Sequence, residues 1–187
     1  MPNDTFNLAA PDGLPLWAIV SASRRTHIER VVAVLRTWAV VLKLPEDEAR
    51  RWTRAGWLHD ALRDAPEAEM RRWAPDVLGP VELRHGPAAA ARAELEGETD
   101  ADVLSAARWH SVGWEGWGWT GRALYCADFL EPGRSFDQIE RAALATEFPE
   151  RPDRVLRAVV VRRLSYAEGK GWTLPQESID FRRAICG

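Results

Sequence analysis

The chain has 187 residues, enough for one domain that buries roughly 70% of its unfolded surface, with 46% apolar residues and a net charge of −3. That charge excludes an electrostatic footprint for duplex nucleic acid, and the longest apolar stretch, Val31 to Leu42, is broken by Arg36 and Thr37, which excludes a membrane span. Cys126 and Cys186 are too few for a disulfide scaffold, and Asn3, Asp4, Pro11 and Asp12 interrupt any secretion leader, so a cytoplasmic setting with two buried thiols is expected.

Helical periodicity runs almost throughout. Ile28, Val31, Val32, Leu35, Trp38, Ala39 and Leu42 recur at three and four residues and draw one stripe down a first helix. Pro45 opens a second, whose Ala49, Trp52, Gly56, His59 and Leu62 or Arg63 share a face. Pro87 to Leu95 reads as a third, closed by Gly97; Thr99 with Asp102 caps a fourth, which carries Val103, Ala106, Ala107 and His110 and ends at Gly113. Trp114 to Gly121 is expected to be a loop whose three tryptophans cover the core or a subunit contact. Ala123, Leu124, Ala127 and Asp128 form the next helical face, before Pro132 and Gly133. Ser135 with Gln138 and Thr173 with Gln176 look like capping boxes of later helices, and Val155, Leu156, Val159, Val160 and Leu164 mark a buried helix between them. No period-two alternation and no internal repeat is present. The expected fold is all-α, a single domain over residues 1–187 with about seven to nine helices.

The four histidines all fall at helix ends or on faces that otherwise read apolar. His59 and Asp60 are adjacent on a helix, so their side chains diverge by about 100° and reach two sides of one small cavity. Asp128, beside Leu124 and Ala127, is costly to bury unless a cation or several donors compensate it. Neutral imidazoles with carboxylates suit iron, manganese, zinc, cobalt or nickel, and the lack of nearby thiolates argues against a structural zinc finger. The basic residues are nearly all arginine, whose planar fork suits phosphate oxygens.

The order His27, then His59-Asp60, then Asp128 resembles the defining pattern of HD-superfamily phosphohydrolases, and His85 with His110 resembles the extra pair of its dinuclear members. The flanking words are more specific: Arg24-x-x-His27, Gly56-Trp-Leu-His-Asp, Arg63-Asp64, Arg84-His85-Gly86, Trp109-His110-Ser111-x-Gly113 and Ala127-Asp128-Phe-Leu-Glu131-Pro-Gly-Arg134. From about Arg24 to about Arg183 the chain is similar to the bacterial symmetrical diadenosine tetraphosphate hydrolase family. The resemblance implies an HD-type helical bundle with a ligand-bearing core over residues 24–134 and C-terminal helices over 135–187. It implies two metal ions, iron foremost, with His27, His59, Asp60 and Asp128 on one, His85 and His110 on the other, and Asp60 bridging. It further implies that water made reactive between the ions attacks a phosphorus in the middle of a dinucleoside tetraphosphate and releases two nucleoside diphosphates.

Within that frame Asp60, Arg63 and Asp64 are the expected catalytic residues, and Arg24, Arg63, Glu131 and Arg134 are expected to bind the substrate. The chain departs from the family at Arg63, where lysine is usual, at Ser111-Val112 in place of two threonines, at Trp117 for a methionine, and at Arg183, where asparagine usually follows Arg182. These changes are expected to touch the nucleotide side of the pocket. The expected partner is a small nucleotide polyphosphate, with a homodimer open. Three alternatives stand: hydrolysis of another phosphate ester, a mixed-valence diiron oxygenase, and a non-catalytic nucleotide-binding module.

Overall fold

The computed structural model describes residues 13–77 and 79–187; the segment in which a secretion leader was sought lies largely outside them. Nine α-helices and a short 3-10 helix follow one another, with no strand among the described residues. They are α1 (Ala22–Val41), α2 (Glu46–Leu58), α3 (Glu67–Trp73), a 3-10 turn (Val81–Leu83), α4 (His85–Leu95), α5 (Ala101–Trp109), α6 (Trp119–Leu130), α7 (Gln138–Glu147), α8 (Pro152–Gly169) and α9 (Gln176–Cys186).

Helix α1 begins before its apolar stripe because the Ser21 hydroxyl accepts the Arg24 backbone N–H and caps it. Its buried face then runs His27, Ile28, Val31, Val32, Leu35, Trp38 and Ala39, so the imidazole simply extends the stripe by one turn. Lys43 ends the helix in the left-handed region, at φ 52°, and lets the Leu44 N–H reach back to the Ala39 carbonyl at 3.0 Å. Helix α6 is the hub: α1, α2, α5, α7 and α8 all pack on it, and it buries nine of its twelve residues. The main core gathers Leu35, Trp52, Leu124, Tyr125, Leu156 and Phe181 from five helices, with Phe148 from the C-cap of α7. A smaller cluster, Leu62, Met70, Ala88 and Ala89 among it, lies under α3 and the start of α4.

Several local expectations change. Asp100, not Thr99, caps α5, accepting the N–H groups of Asp102 and Val103. Neither later capping box forms. Asp137, at φ 47°, precedes α7 while the Gln138 amide donates to the Arg134 carbonyl, and Pro175 precedes α9 while the Gln176 amide turns to Asp180. Helix α3 had no visible stripe because Met70 is its one buried residue. The Trp segment is shorter than a loop to Gly121, since α6 starts at Trp119. Trp117 is buried against Tyr125 and Phe181, and Trp114 stacks on Trp109, which accords with a packing role. Cys126 is buried, but Cys186 is exposed.

Candidate metal centre

The six expected ligands converge at one place between α1, α2, α4, α5 and α6. His27 comes from α1, His59 caps the C-terminus of α2 with Asp60 in the turn that follows, His85 opens α4, His110 caps the C-terminus of α5, and Asp128 lies near the end of α6. All six are buried. Two triads, His27–His59–Asp60 and Asp60–His85–His110, each present three candidate ligand atoms within 4.8 Å of one another.

Asp60 divides its two oxygens between the triads. Oδ2 lies 3.6 Å from Nε2 of both His27 and His59. Oδ1 lies 3.0 Å from Nε2 of His85 and 3.3 Å from Nε2 of His110. Asp128 joins the first triad, its Oδ1 being 3.1 Å from His27 Nε2.

The other ring nitrogens decide what those Nε2 atoms are. Nδ1 of His59 faces the Gly56 carbonyl at 2.7 Å, Nδ1 of His85 the Glu82 carbonyl at 2.6 Å, and Nδ1 of His110 the Ala107 carbonyl at 2.8 Å. A carbonyl only accepts, so each Nδ1 carries the hydrogen and each neutral ring turns a lone pair inward from Nε2. His27 Nδ1 faces the Glu131 carboxylate at 3.1 Å and follows the same logic. Burial pushes the pKa of His59 down to about 4, and burial likewise lowers that of His85, which keeps both neutral. The Nε2 lone pairs of His85 and His110 then face each other at 3.0 Å and both face a carboxylate, while Nε2 of His27 and of His59 has no hydrogen-bond partner. Lone pairs and carboxylates converge stably only around positive charge. The donor set therefore fits two cations, one on each side of Asp60, with nitrogen and oxygen ligands that suit borderline divalent metals.

The carboxylates themselves are held ionised. Burial opposes ionisation of Asp60 and Asp128, yet both lie well below the ordinary range, Asp128 with the charges of Arg163 and Arg134 beside it. Arg24 Nη1 donates to Asp60 Oδ2 at 2.7 Å. Arg134 Nη2 donates to Asp128 Oδ1 at 2.8 Å. Arg63 Nη1 donates to the Glu82 carbonyl at 3.0 Å, the acceptor it shares with His85. All three arginines are half-buried at the edge of the centre.

Two expected residues stand elsewhere. Glu131, placed by sequence among the substrate contacts, is 1% exposed and turned to His27, to Arg30 at 2.5 Å and to the Gly133 N–H at 2.6 Å. It has no open side for a substrate and acts as the carboxylate that orients His27. Asp64 is exposed and accepts the Ser21 backbone N–H at 2.7 Å, joining the turn after α2 to the start of α1. Ser111, expected on the nucleotide side, has its hydroxyl 3.0 Å from His110 Nε2, beside the second triad.

Sequence reasoning missed Arg163. Its Nη1 donates to Asp128 Oδ2 at 3.1 Å and its guanidinium lies 4.2 Å from the Tyr125 ring centroid. The signal was present, since residue 163 falls on the same stripe of α8 as Leu156 and Val160. Arg30, paired with Glu131, was missed as well.

Two glycines set the approach of the helices. A Cβ at Gly86 would lie 2.8 Å from the carbonyl oxygens of both Ala107 and Arg108 and 3.1 Å from His110 Nδ1, so only glycine lets α4 bring His85 against His110. Gly113, at φ 88°, turns the chain away after His110, and a Cβ there would run into the Phe181 ring.

Comparison with known proteins bears on the same residues. The family described as HD domain matches residues 24–163. Two curated relatives are both named symmetrical bis(5'-nucleosyl)-tetraphosphatase. That of Bacillus subtilis strain 168 is 30% identical over 101 residues, 50% of this chain and 54% of the relative. That of Halalkalibacterium halodurans is 27% identical over 121 residues, 60% of this chain and 65% of the relative. The matches thus span between half and two thirds of the length of these relatives. A crystal structure from Clostridium acetobutylicum, described as a predicted HD superfamily hydrolase involved in NAD metabolism, superimposes with a TM-score of 0.77 at 24% identity, covering 89% of this chain and 90% of that one, and shows the same fold. Because the family match contains all four histidines together with Asp60 and Asp128, and the helices bring those six side chains to one point, the chain belongs to the HD-domain family.

Proposed function

We propose that the chain is a dinuclear metal-dependent phosphohydrolase whose substrate is a dinucleoside polyphosphate, diadenosine tetraphosphate foremost, split symmetrically into two nucleoside diphosphates. The observation that carries this reading is Asp60, one oxygen turned to His27 and His59 and the other to His85 and His110. His27, His59, Asp60 and Asp128 would hold one ion, and Asp60, His85 and His110 the other, with iron the first candidate. Bound there, two cations supply Lewis acidity toward phosphate oxygens and acidify a water to near neutrality.

The chain's own groups do the rest. The carbonyls of Gly56, Glu82 and Ala107 and the carboxylate of Glu131 hold the four imidazoles in one tautomer, nitrogen lone pairs inward. Arg24, Arg63 and Arg134 stand at the edge with planar forks for the phosphates that the ions leave uncovered. This basic rim favours phosphate chemistry over an oxygenase, which has no use for three guanidinium groups. The shared name of the two curated relatives supports the choice of dinucleoside tetraphosphate.

The test is elemental analysis of the purified protein followed by incubation with diadenosine tetraphosphate and chromatography of the products. About two metal ions per chain and ADP as the sole nucleotide product are expected. Fewer than one ion per chain sinks the metal centre, and hydrolysis of other nucleotides without ADP from this substrate sinks the substrate assignment alone. Turnover that requires dioxygen points to the oxygenase reading.

A further inference from the structure

Arg141, on α7, is a charged side chain that the chemistry above does not use. It is 3% exposed, and neither Nη1 nor Nη2 has a hydrogen-bond partner. The guanidinium lies in the corner between two rings that meet edge to face, 4.6 Å from the Phe129 centroid and 4.4 Å from that of Phe136. Phe129 directly follows Asp128, and Phe136 stands two residues after Arg134, so this aromatic corner sits beside the Asp128 side of the metal centre. The charges that act on it are those of Arg134, Glu131, Asp128 and Asp137.

Ring faces attract a cation but offer its in-plane N–H groups no acceptor. Burial first, and repulsion from Arg134 next, push the pKa of Arg141 down to about 10, a sign that its charge is under-compensated where it lies. Burying ionised donors without acceptors is among the more expensive things a fold can do. Such a group is explained when its missing acceptor is a ligand.

We propose that the Nη edge of Arg141 is a second anion subsite, next to Arg134, that receives one phosphate of a polyphosphate chain while a neighbouring phosphate lies at the metal centre. The inference rests on the function proposed above and extends it to the outer part of the substrate. A multiply charged anion set between Arg134 and Arg141 removes the repulsion between the two guanidiniums and fills both vacant donor positions of Arg141, which a fork accepts from two oxygens of one phosphate. Phe129, half-buried on α6, is the floor of the subsite. Phe136, 48% exposed on the segment that joins α6 to α7, is the ring that turns aside to admit the anion.

AMP and ADP are the probes, because they differ by one phosphate. Metal-loaded full-length wild type and Arg141→Met are titrated with each by calorimetry, and metal content and thermal midpoint are measured on the same samples. The wild type is expected to prefer ADP, and Arg141→Met to bind ADP about tenfold or more weakly while its AMP affinity stays within about twofold. The variant keeps two metal ions and a thermal midpoint no lower than wild type, since methionine fills much of the space and leaves no donor unpaired. Arg141→Lys, which keeps the charge without the fork, recovers part of the ADP preference and serves in place of the Met variant should that one not fold. Unchanged ADP affinity, or equal loss for both nucleotides, overturns the subsite. A fall in midpoint with loss of metal also overturns it and makes Arg141 a strut of the fold. A wild type with no metal defeats the metal-hydrolase reading itself, which is a different result from a metal-loaded wild type whose ADP preference ignores residue 141.

Discussion

At the scale of single residues, Glu131 carries more of the centre than its surface-like sequence context suggests. Burial opposes its ionisation, but the donors His27, Arg30 and the Gly133 N–H hold its pKa down to about 2, so it is a carboxylate at any working pH. Its Oε1 fixes the tautomer of His27 and so aims the Nε2 of that ring into the centre, where the first cation is proposed. Glu131→Gln keeps the shape but removes the charge, and is expected to lower metal affinity by roughly 10–100-fold, with the fold intact by circular dichroism. An unchanged affinity in a metal titration would mean that α1 alone orients the ring. The imidazoles and Asp60 were legible in the sequence because ionisable groups on apolar stripes are costly without a shared reason. Glu131 was legible as part of the site but not in its role, since its neighbours Pro132, Gly133 and Arg134 read as a rim motif, whereas its partner Arg30 lies about a hundred residues earlier. Arg163 was not seen at all, because one of four arginines on α8, directly after Arg162, reads as a solvent-facing charge until Asp128 is placed beside it.

Between elements, the decisive contact is the crossing of α4 and α5. Gly86 lets the first turn of α4 rest on the carbonyls of Ala107 and Arg108, the same turn of α5 whose Ala107 oxygen holds His110 in place. Gly86→Ala forces backbone apart that no side-chain rotation can relieve. The expected cost is about 1–3 kcal/mol of stability, together with separation of His85 from His110 and a fall in bound metal from about two ions per chain toward one; stoichiometry of two in the variant would show that the crossing has slack. The end of α1 offers a contrasting case. Lys43 occupies a left-handed position that glycine takes at little cost, so Lys43→Gly is expected to raise the denaturant midpoint by an amount worth about 0.5–1 kcal/mol, with the centre untouched. Helices α1, α2, α5, α6 and α8 followed from apolar spacing, α3 with its single buried Met70 left no stripe, and caps did not follow. Ser135-x-x-Gln138 and Thr173-x-x-Gln176 satisfy the pattern of a capping box, and the chain instead enters α7 from a left-handed Asp137 and α9 through Pro175. A cap depends on the dihedral angles of the entering chain, which spacing does not encode.

For the whole molecule, the centre ties α1 to α6 and the end of α2 to the start of α4 and the end of α5, contacts that bridge about a hundred residues of chain, as between His27 and Asp128. Cations held there would bind the folded chain and have no comparable site in the unfolded one, so at a thousandfold excess over its dissociation constant each would add about 4 kcal/mol, which for a domain of this size raises the thermal midpoint by roughly 10 °C per ion. With the metals chelated, the histidines titrate in opposing directions. His59, lowered to about 4 by burial, and His85, also lowered, bind fewer protons folded than unfolded below about pH 6.5, so each removes stability as the pH falls through that window, at about 1.4 kcal/mol per unit. His27 is raised; burial opposes this, but Asp128 and Glu131 outweigh it, so it adds stability below about pH 6.5 that is lost as the pH rises through its folded value. Two groups against one leave the metal-free protein weaker toward pH 5. Protons also compete with cations for every Nε2, so the loaded form loses its advantage over the same range. Thermal midpoints with and without chelator should therefore differ most at pH 7–8 and converge toward pH 5. A chelator that leaves the midpoint unchanged at pH 7.5, or a difference that ignores pH, would place the stabilising charge somewhere other than these six side chains.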